Sequence, residues 1–126
     1  AWYIRPSSGA SPYGFGWGGH TSDKPVPGDY DGDGKTDIAV YRASIGAWYI
    51  RPSSGASPYG FGWGGHTSDK PVPGDYDGDG KTDIAVYRTD TGAWYVYPSG
   101  GGSPYGFGWG GNPSDIPVTM NLSAME

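Results

Sequence analysis

The sequence contains no cysteine, and among its 126 residues there are only two methionines and three phenylalanines. The absence of cysteine excludes a disulfide framework and any thiolate metal site. No apolar run approaches the ~18 to 20 residues that cross a bilayer, so we expect no membrane-spanning segment. No window shows the 3.6-residue period of an amphipathic helix, and 25 glycines and 12 prolines would interrupt one. These absences together indicate an all-β chain.

Positive charge is also scarce, because 8 Lys and Arg stand against 13 Asp and Glu, for a formal net charge of −5. This balance argues against a nucleic-acid partner and against an anionic membrane surface. Eight of the acidic residues, four in each, lie in two short loops, so the acidity is local. The chain begins without Met and without a leader pattern, and we expect a processed chain or a part of a longer one.

A 46-residue repeat organises the chain. Residues 1–42 are identical to residues 47–88, and a third copy begins at Ala93 and diverges after Val118. Periods of this length are typical of solenoids and propellers. Each repeat contains four short alternating or aromatic-rich segments, separated by Gly, Pro and Ser, which indicate strands. Four strands per repeat favour a propeller blade over a β-solenoid, whose coils are usually shorter.

Two aspartate-rich loops carry the strongest chemical signal, since residues 25–42 recur unchanged as residues 71–88. Four carboxylates this close would repel one another, and oxygen ligands are those that Ca²⁺ prefers. We predict two calcium ions per chain, with a structural role, because one short loop supplies every ligand of each ion. The predicted ligands are Asp29, Asp31, Asp33, the Lys35 carbonyl and Asp37, and in the second loop Asp75, Asp77, Asp79, the Lys81 carbonyl and Asp83.

The simpler alternative is a surface turn that binds nothing, because Asp and Gly favour turns in any case. An EF-hand is excluded, since its twelfth position, counted from Asp29, is Val40 in an alternating strand rather than a glutamate. In the third copy Asn121 replaces the first aspartate, and we expect no third ion.

The segment Gly28–Arg42, followed by Gly46–Ile50, resembles the FG-GAP/VCBS-type repeats of calcium-binding β-propellers, which occur in integrin α-chain heads and in some propeller lectins. The resemblance covers residues 1–118. It implies that each aspartate loop joins the first and second strands of a four-stranded antiparallel blade. The implied strands of one blade are Lys24–Gly28, Asp37–Arg42, Ala47–Arg51 and a fourth near Tyr59–Gly65.

On this basis residues 1–126 form a single repeat region with two complete blades, 24–69 and 70–115. Residues 1–23 are a half-blade with the third and fourth strands, and residues 116–126 are a terminal strand that completes a blade of another chain. Two blades and two half-blades cannot close alone, since propellers need about four or more, and open strand edges favour pairing. We predict a homo-oligomer, with a dimer in a six-bladed ring preferred over a trimer.

The repeated aromatic residues have two interpretations. Flat rings beside polar groups can hold a sugar, and some propeller lectins bind sugars between adjacent blades. Alternatively the rings fill the core between blades, which we favour for most of them because few other large apolar side chains are present. The candidate ligand-binding residues are Trp2, Arg5, Trp17 and His20, with their repeats Trp48, Arg51, Trp63 and His66.

The function that the sequence favours is a non-catalytic, calcium-stabilised propeller module with a structural or adhesive role, outside the cell or at its surface. A glycan-binding lectin is the alternative. An enzyme is less favoured. The polar residues that could act with His20, such as Ser22, are its neighbours in the sequence, whereas a catalytic triad combines residues from distant parts of a fold. The G-x-G-x-x-G match at residues 14–19 lacks the following helix of a dinucleotide site. Two identical copies also agree with a recent duplication or with design, and a designed or trimmed fragment would have no evolved ligand.

Overall fold

The computed structural model describes residues 1–118, and its regular elements are β-strands. In chain order they are β1 Trp2–Ile4, β2 Tyr13–Phe15, β3 Asp23–Pro25, β4 Ile38–Arg42, β5 Ala47–Arg51, β6 Tyr59–Gly62, β7 Asp69–Pro71, β8 Ile84–Arg88, β9 Ala93–Tyr97 and β10 Tyr105–Gly108. The described residues include no helix, and in particular none that is long and apolar enough to span a membrane. The prediction of an all-β chain is confirmed.

The strands form three antiparallel sheets that follow the order of the chain. β1 and β2 form a two-stranded ribbon, β3 to β6 form a first four-stranded sheet, and β7 to β10 form a second one. Within residues 1–118 no strand ladder joins one sheet to the next, and the sheets do not close on themselves. The predicted four-stranded antiparallel sheets are therefore confirmed, while the number of blades and ring closure stay predictions.

The first strand of each four-stranded sheet is interrupted by proline. β3 ends at Pro25, yet the N–H of Val26 donates to the carbonyl of Ala39 at 2.8 Å. Gly28 and Asp37 then exchange two backbone hydrogen bonds of 3.3 and 2.7 Å. Because proline has no N–H to donate, the ladder breaks and resumes, so the chain pairs as far as Gly28, as the sequence predicts.

The main core lies between the two four-stranded sheets. Ala39 and Tyr41 of β4 share one buried cluster with Ile84 and Val86 of β8, and Trp48, with no exposed surface, belongs to the same cluster. Because successive side chains of a strand point to opposite faces, Ala85 and Tyr87 of β8 face away from the first sheet. A second cluster collects them on that outer face, and its members are Val72, Ala85, Tyr87 and Val96.

Tryptophan side chains join successive sheets. The indole N–H of Trp17, after β2, donates to the carbonyl of Tyr49 in β5 at 3.3 Å. The indole of Trp63, after β6, donates in the same way to the carbonyl of Tyr95 in β9 at 3.1 Å. The ribbon and the first four-stranded sheet therefore each contact the following sheet at its third strand, through the tryptophan after their own last strand.

A phenylalanine of each last strand adds a second contact to these junctions. The guanidinium of Arg51 lies 4.4 Å from the ring centroid of Phe15. In the next junction Tyr97 takes the place of the arginine, 5.4 Å from Phe61 between ring centroids. Of the predicted terminal strand at residues 116–126, residues 119–126, and Asn121 with them, lie outside the described part, and residues 116–118 form no strand.

Candidate metal centre

The two aspartate loops connect β3 to β4 and β7 to β8, which is the place that the resemblance implies. In the first loop, Asp29 Oδ1 accepts hydrogen bonds from the N–H groups of Gly32 (2.9 Å) and Asp33 (3.2 Å), and Oδ2 accepts one from Gly34 (2.9 Å). Gly34 has a φ of 86°, a left-handed conformation that glycine adopts without strain. The loop thus winds around the carboxylate of Asp29, and Asp75 makes the same three bonds in the second loop.

The last aspartate of each loop anchors the loop to the sheet. Asp37 is fully buried, and its carboxylate accepts hydrogen bonds from the N–H groups of Tyr30 and Ser53, each 2.9 Å long. Burial raises the pKa of the Asp37 carboxyl, while these N–H donors act in the opposite direction. Asp83 has equivalent donors in the second loop, and burial likewise raises its pKa.

Each loop brings three carboxylates together. One oxygen from each of Asp29, Asp31 and Asp33 lies within 4.8 Å of the others, and the second group consists of Asp75, Asp77 and Asp83. Two oxygens that coordinate one Ca²⁺ at about 2.3 to 2.6 Å are at most about 5 Å apart. The donor set therefore fits a hard divalent cation. The other predicted carboxylates, Asp37 and Asp79, do not belong to these two groups, and the Lys35 and Lys81 carbonyls stay predictions.

The pKa values of two exposed loop carboxyls shift in opposite directions. Burial raises the pKa of Asp77, whereas the hydrogen bond from the N–H of Lys81 lowers that of Asp79. The neighbouring carboxylates contribute to the rise at Asp77 through their negative charge. A bound cation would oppose this repulsion, because an opposite charge nearby favours the ionised form.

The two loops have the same sequence but different surroundings. The N–H of Asp29 donates to Thr82 Oγ1 at 2.9 Å, and the N–H of Thr82 donates to the Asp29 carbonyl at 2.7 Å. A methyl group on Gly28 would lie only 2.8 Å from the Thr82 side chain, so the loops are in close contact. Asp29 is 3% exposed as a result, while Asp75 is half-buried. The first loop rests on the second.

Sequence reasoning missed the role of Thr82. Thr36 and Thr82 occupy the same place in the two loops, yet Thr82 is buried and Thr36 is exposed. The only signal in the sequence is a threonine in each loop just before its last aspartate. Its partner is 53 residues away, in another repeat.

The candidate ligand-binding tryptophans all take part in packing. Trp48 has no exposed surface and therefore offers no face to a ligand. Trp2, Trp17 and Trp63 are half-buried, and each donates its indole N–H to a backbone carbonyl, at 3.2, 3.3 and 3.1 Å. These positions agree with the interpretation that most of the aromatic residues fill the core.

The polar candidates are more exposed and more scattered. His20 and His66 lie in surface turns, where the Nδ1 atom of each is 2.9 Å from the hydroxyl of a serine two residues on. Arg5 is exposed. Arg51 lines an open groove of about 620 Å³, together with Tyr13 and Phe15 of the ribbon and other residues of the first sheet. Among the eight candidates, Arg51 alone lines this groove.

Comparison with known protein families identifies a match over residues 29–86, to the family described as FG-GAP-like repeat. The matched segment begins at the first aspartate of one loop and includes the whole of the second loop. Comparisons with curated proteins and with solved structures give no match.

Proposed function

Because residues 29–86 match the family described as FG-GAP-like repeat, we propose that the chain is a non-catalytic β-propeller module whose loops are stabilised by calcium. The observation that carries this proposal is the pair of carboxylate groups, one in each loop, at the same place in the two four-stranded sheets. Asp29, Asp31 and Asp33 would hold one ion. The equivalent loop of the second sheet would hold the other.

A bound ion would stabilise the contact between the sheets as well as its own loop. The carboxylates of one loop repel one another until a cation neutralises them. The first loop also rests on the second through the two hydrogen bonds between Asp29 and Thr82. An ion that fixes the first loop therefore fixes one side of the junction between the two sheets.

The proposed setting is outside the cell or at its surface, in a structural or adhesive role. Extracellular calcium-binding modules have dissociation constants of about 10⁻⁴ to 10⁻³ M, which suit a fluid rich in calcium. We propose that copies of the chain assemble into a closed ring. With three blades per chain, a dimer gives six blades and is preferred over a trimer. The exposure of Trp109 supports assembly, because the two preceding tryptophans of the repeat are half-buried.

Calorimetric titration of the calcium-free chain with Ca²⁺ tests the metal assignment. We expect two ions per chain, and we expect Asp29→Asn and Asp75→Asn each to remove one of them. Asp90→Asn, which changes an aspartate outside both loops, is the matched control and should keep two. Absence of binding at millimolar Ca²⁺, or an equal loss in the control, would contradict the proposal.

A glycan-binding lectin is the second candidate, and the groove beside Arg51 favours it. Tyr13, which is 54% exposed, and Phe15 supply apolar ring surface there, and Arg51 and Ser53 supply polar groups. A sugar ring is held by this combination of flat apolar contact and hydrogen bonds. Glycan-array binding should appear and should be lost in Tyr13→Ala. No binding across a broad panel would reject the lectin.

A further inference from the structure

The outer face of the second sheet is apolar and open. Tyr87 and Trp94 line it, and Phe107 and Trp109 lie beside them at 45% and 77% exposure. Val118 lies against the same groove, and we call these five residues the Trp109 face. The tryptophans that precede Trp109 in the repeat are half-buried, because each packs on the following sheet. The Trp109 face is thus a junction surface on which no further sheet of residues 1–118 packs.

The ribbon at the other end of the described chain has the complementary surface. Tyr3 of β1 is 86% exposed. Tyr49 and Tyr95 occupy the same place in β5 and β9 and are half-buried. The guanidinium of Arg42 lies 5.0 Å from the ring centroid of Tyr49, and Tyr95 packs against the core between the two four-stranded sheets. Arg5 follows Tyr3 and is also exposed. We call Tyr3 and Arg5 the Tyr3 face.

The repeat shows which atoms of the two faces would meet. In both internal junctions the tryptophan donates to the carbonyl of a tyrosine 32 residues later. Trp109 is the third tryptophan of this series, and the next tyrosine of a continuing repeat has the place that Tyr3 occupies in the first copy. Phe15 and Arg51 are 36 residues apart, and the same separation counted from Phe107 leads to the place of Arg5 in a continuing repeat. The internal counterpart of that contact is Arg51 over Phe15 at 4.4 Å.

We propose that the Trp109 face of one chain binds the Tyr3 face of a second copy, in a head-to-tail contact that continues the internal junctions. The indole N–H of Trp109 donates to the carbonyl of Tyr3 in the second copy, and the guanidinium of its Arg5 lies over the ring of Phe107. This inference deepens the self-assembly in the proposed function and depends on that part of it.

The second copy is the occupant that the internal junctions favour. Both of them already pair these same two kinds of surface, with the same donor and acceptor atoms. A head-to-tail contact uses two different patches of each chain. It therefore closes into a ring when the rotation allows, and otherwise continues into a filament. A self-complementary dimer would instead use the same patch twice.

Two substitutions separate these arrangements by sedimentation equilibrium at about 100 µM protein. Trp109→Arg and Tyr3→Arg each place a charge in one face, and we expect both to sediment with the mass of a single chain, 13.2 kDa. An equimolar mixture of the two variants retains one intact face on each partner and should give a heterodimer. Ile45→Arg, at an apolar residue 63% exposed outside both faces, is the matched control and should assemble as the unmodified chain does.

The outcomes distinguish the head-to-tail contact from self-assembly in general and from the calcium sites. If the unmodified chain assembles and Tyr3→Arg still assembles, or the mixture stays monomeric, the head-to-tail contact is wrong while self-assembly stands. If the unmodified chain is a monomer, self-assembly and this contact both fail, and the calcium titration still measures the metal sites independently. Circular dichroism checks the fold of each variant. Trp109→Ser and Tyr3→Ser repeat the test with smaller changes.

Discussion

Thr36 and Thr82 show that identical residues in identical loops can have different energetic roles. The hydroxyl of Thr82 accepts a buried hydrogen bond of 2.9 Å from the N–H of Asp29 in the other loop. Thr36 occupies the same place in the first loop and is exposed. The difference arises because Thr82 contacts the other loop and Thr36 does not. The two threonines can therefore be compared directly by the same substitution.

Replacing each threonine by valine should separate the two roles. Thr82→Val leaves the buried N–H of Asp29 without its partner, which costs about 1 to 3 kcal/mol. Thr36→Val should change the free energy of unfolding by less than about 0.5 kcal/mol, as is usual for surface positions. Urea unfolding at a protein concentration low enough to keep the chain monomeric measures both. Equal losses at the two positions would show that the loops do not rest on each other.

Asp23 and Arg42 give a prediction about pH. The carboxylate of Asp23 accepts hydrogen bonds from Arg42 Nε (2.7 Å) and Nη2 (3.0 Å), and its side chain is 6% exposed. The bond from Arg42 lowers the pKa of Asp23, and the N–H of His20 lowers it further against the effect of burial. The pair therefore stabilises the fold above the unfolded-state pKa of about 3.9. This stabilisation is lost as the pH falls through the lower folded-state value.

Arg42→Gln removes the partner that lowers this pKa. Below about pH 4, the free energy of unfolding should therefore fall less steeply with decreasing pH in the variant than in the unmodified chain. Urea unfolding between pH 2 and 6 measures both curves. Two curves that run parallel throughout this range would mean that Arg42 does not set the pKa of Asp23.

At the scale of the element, the junctions between sheets depend on one aromatic residue each. Trp63→Ala removes a half-buried ring and its hydrogen bond to Tyr95, and it should lower the free energy of unfolding by about 2 to 3 kcal/mol. This is less than the ~3 to 5 kcal/mol for a fully buried tryptophan. Trp109→Ala, at the same place of the next repeat, should cost less than about 1 kcal/mol in the monomer, because that ring is 77% exposed.

Chemical unfolding of the two variants under the same conditions provides this comparison. If Trp109→Ala were as destabilising as Trp63→Ala in the monomer, the outer face would already be covered within one chain. That result would also remove the basis for a contact between copies at Trp109.

The sequence predicts the strands well because their information is local. The alternation of Ile38 and Val40 with Ala39 and Tyr41 determines which residues share a face, and the repeat transfers the pattern to the second sheet. The two loops are also local, since each contains its own aspartates and glycines. What the sequence does not show are the contacts between repeats, such as Asp29 with Thr82, because identical copies give no indication of which neighbour each one meets.

The aromatic residues illustrate the same limit. Trp2, Trp48 and Trp94 occupy one place in the repeat, yet Trp48 is fully buried while the other two are half-buried. The difference follows from the position of each copy. Trp48 lies in the core between two sheets and packs on Tyr41 of its own sheet at 5.1 Å between ring centroids, whereas the ribbon of Trp2 has no such strand and Trp94 lies on the outer face. Exposure is therefore a property of the assembled array of sheets, and a single repeat does not encode it.

At the scale of the whole molecule, calcium and stability should be linked. A ligand that binds only the folded state at 100 times its dissociation constant adds about 2.7 kcal/mol per site. Two sites per chain should therefore raise the melting temperature by well over 5 °C in a chain of this size. The measurement is a thermal melt in excess Ca²⁺ compared with one in chelator, and Asp29→Asn should show about half of the difference.

Native mass spectrometry with and without a calcium chelator is the sharpest test of a calcium-stabilised module, because it counts ions and chains in one spectrum. We expect two Ca²⁺ per chain at every assembly size, and their complete loss in chelator. We also expect Asp29→Asn and Asp75→Asn each to carry a single ion. A chain that carries no Ca²⁺ at millimolar concentration, with the same mass distribution in chelator, would contradict the claim that calcium stabilises this module.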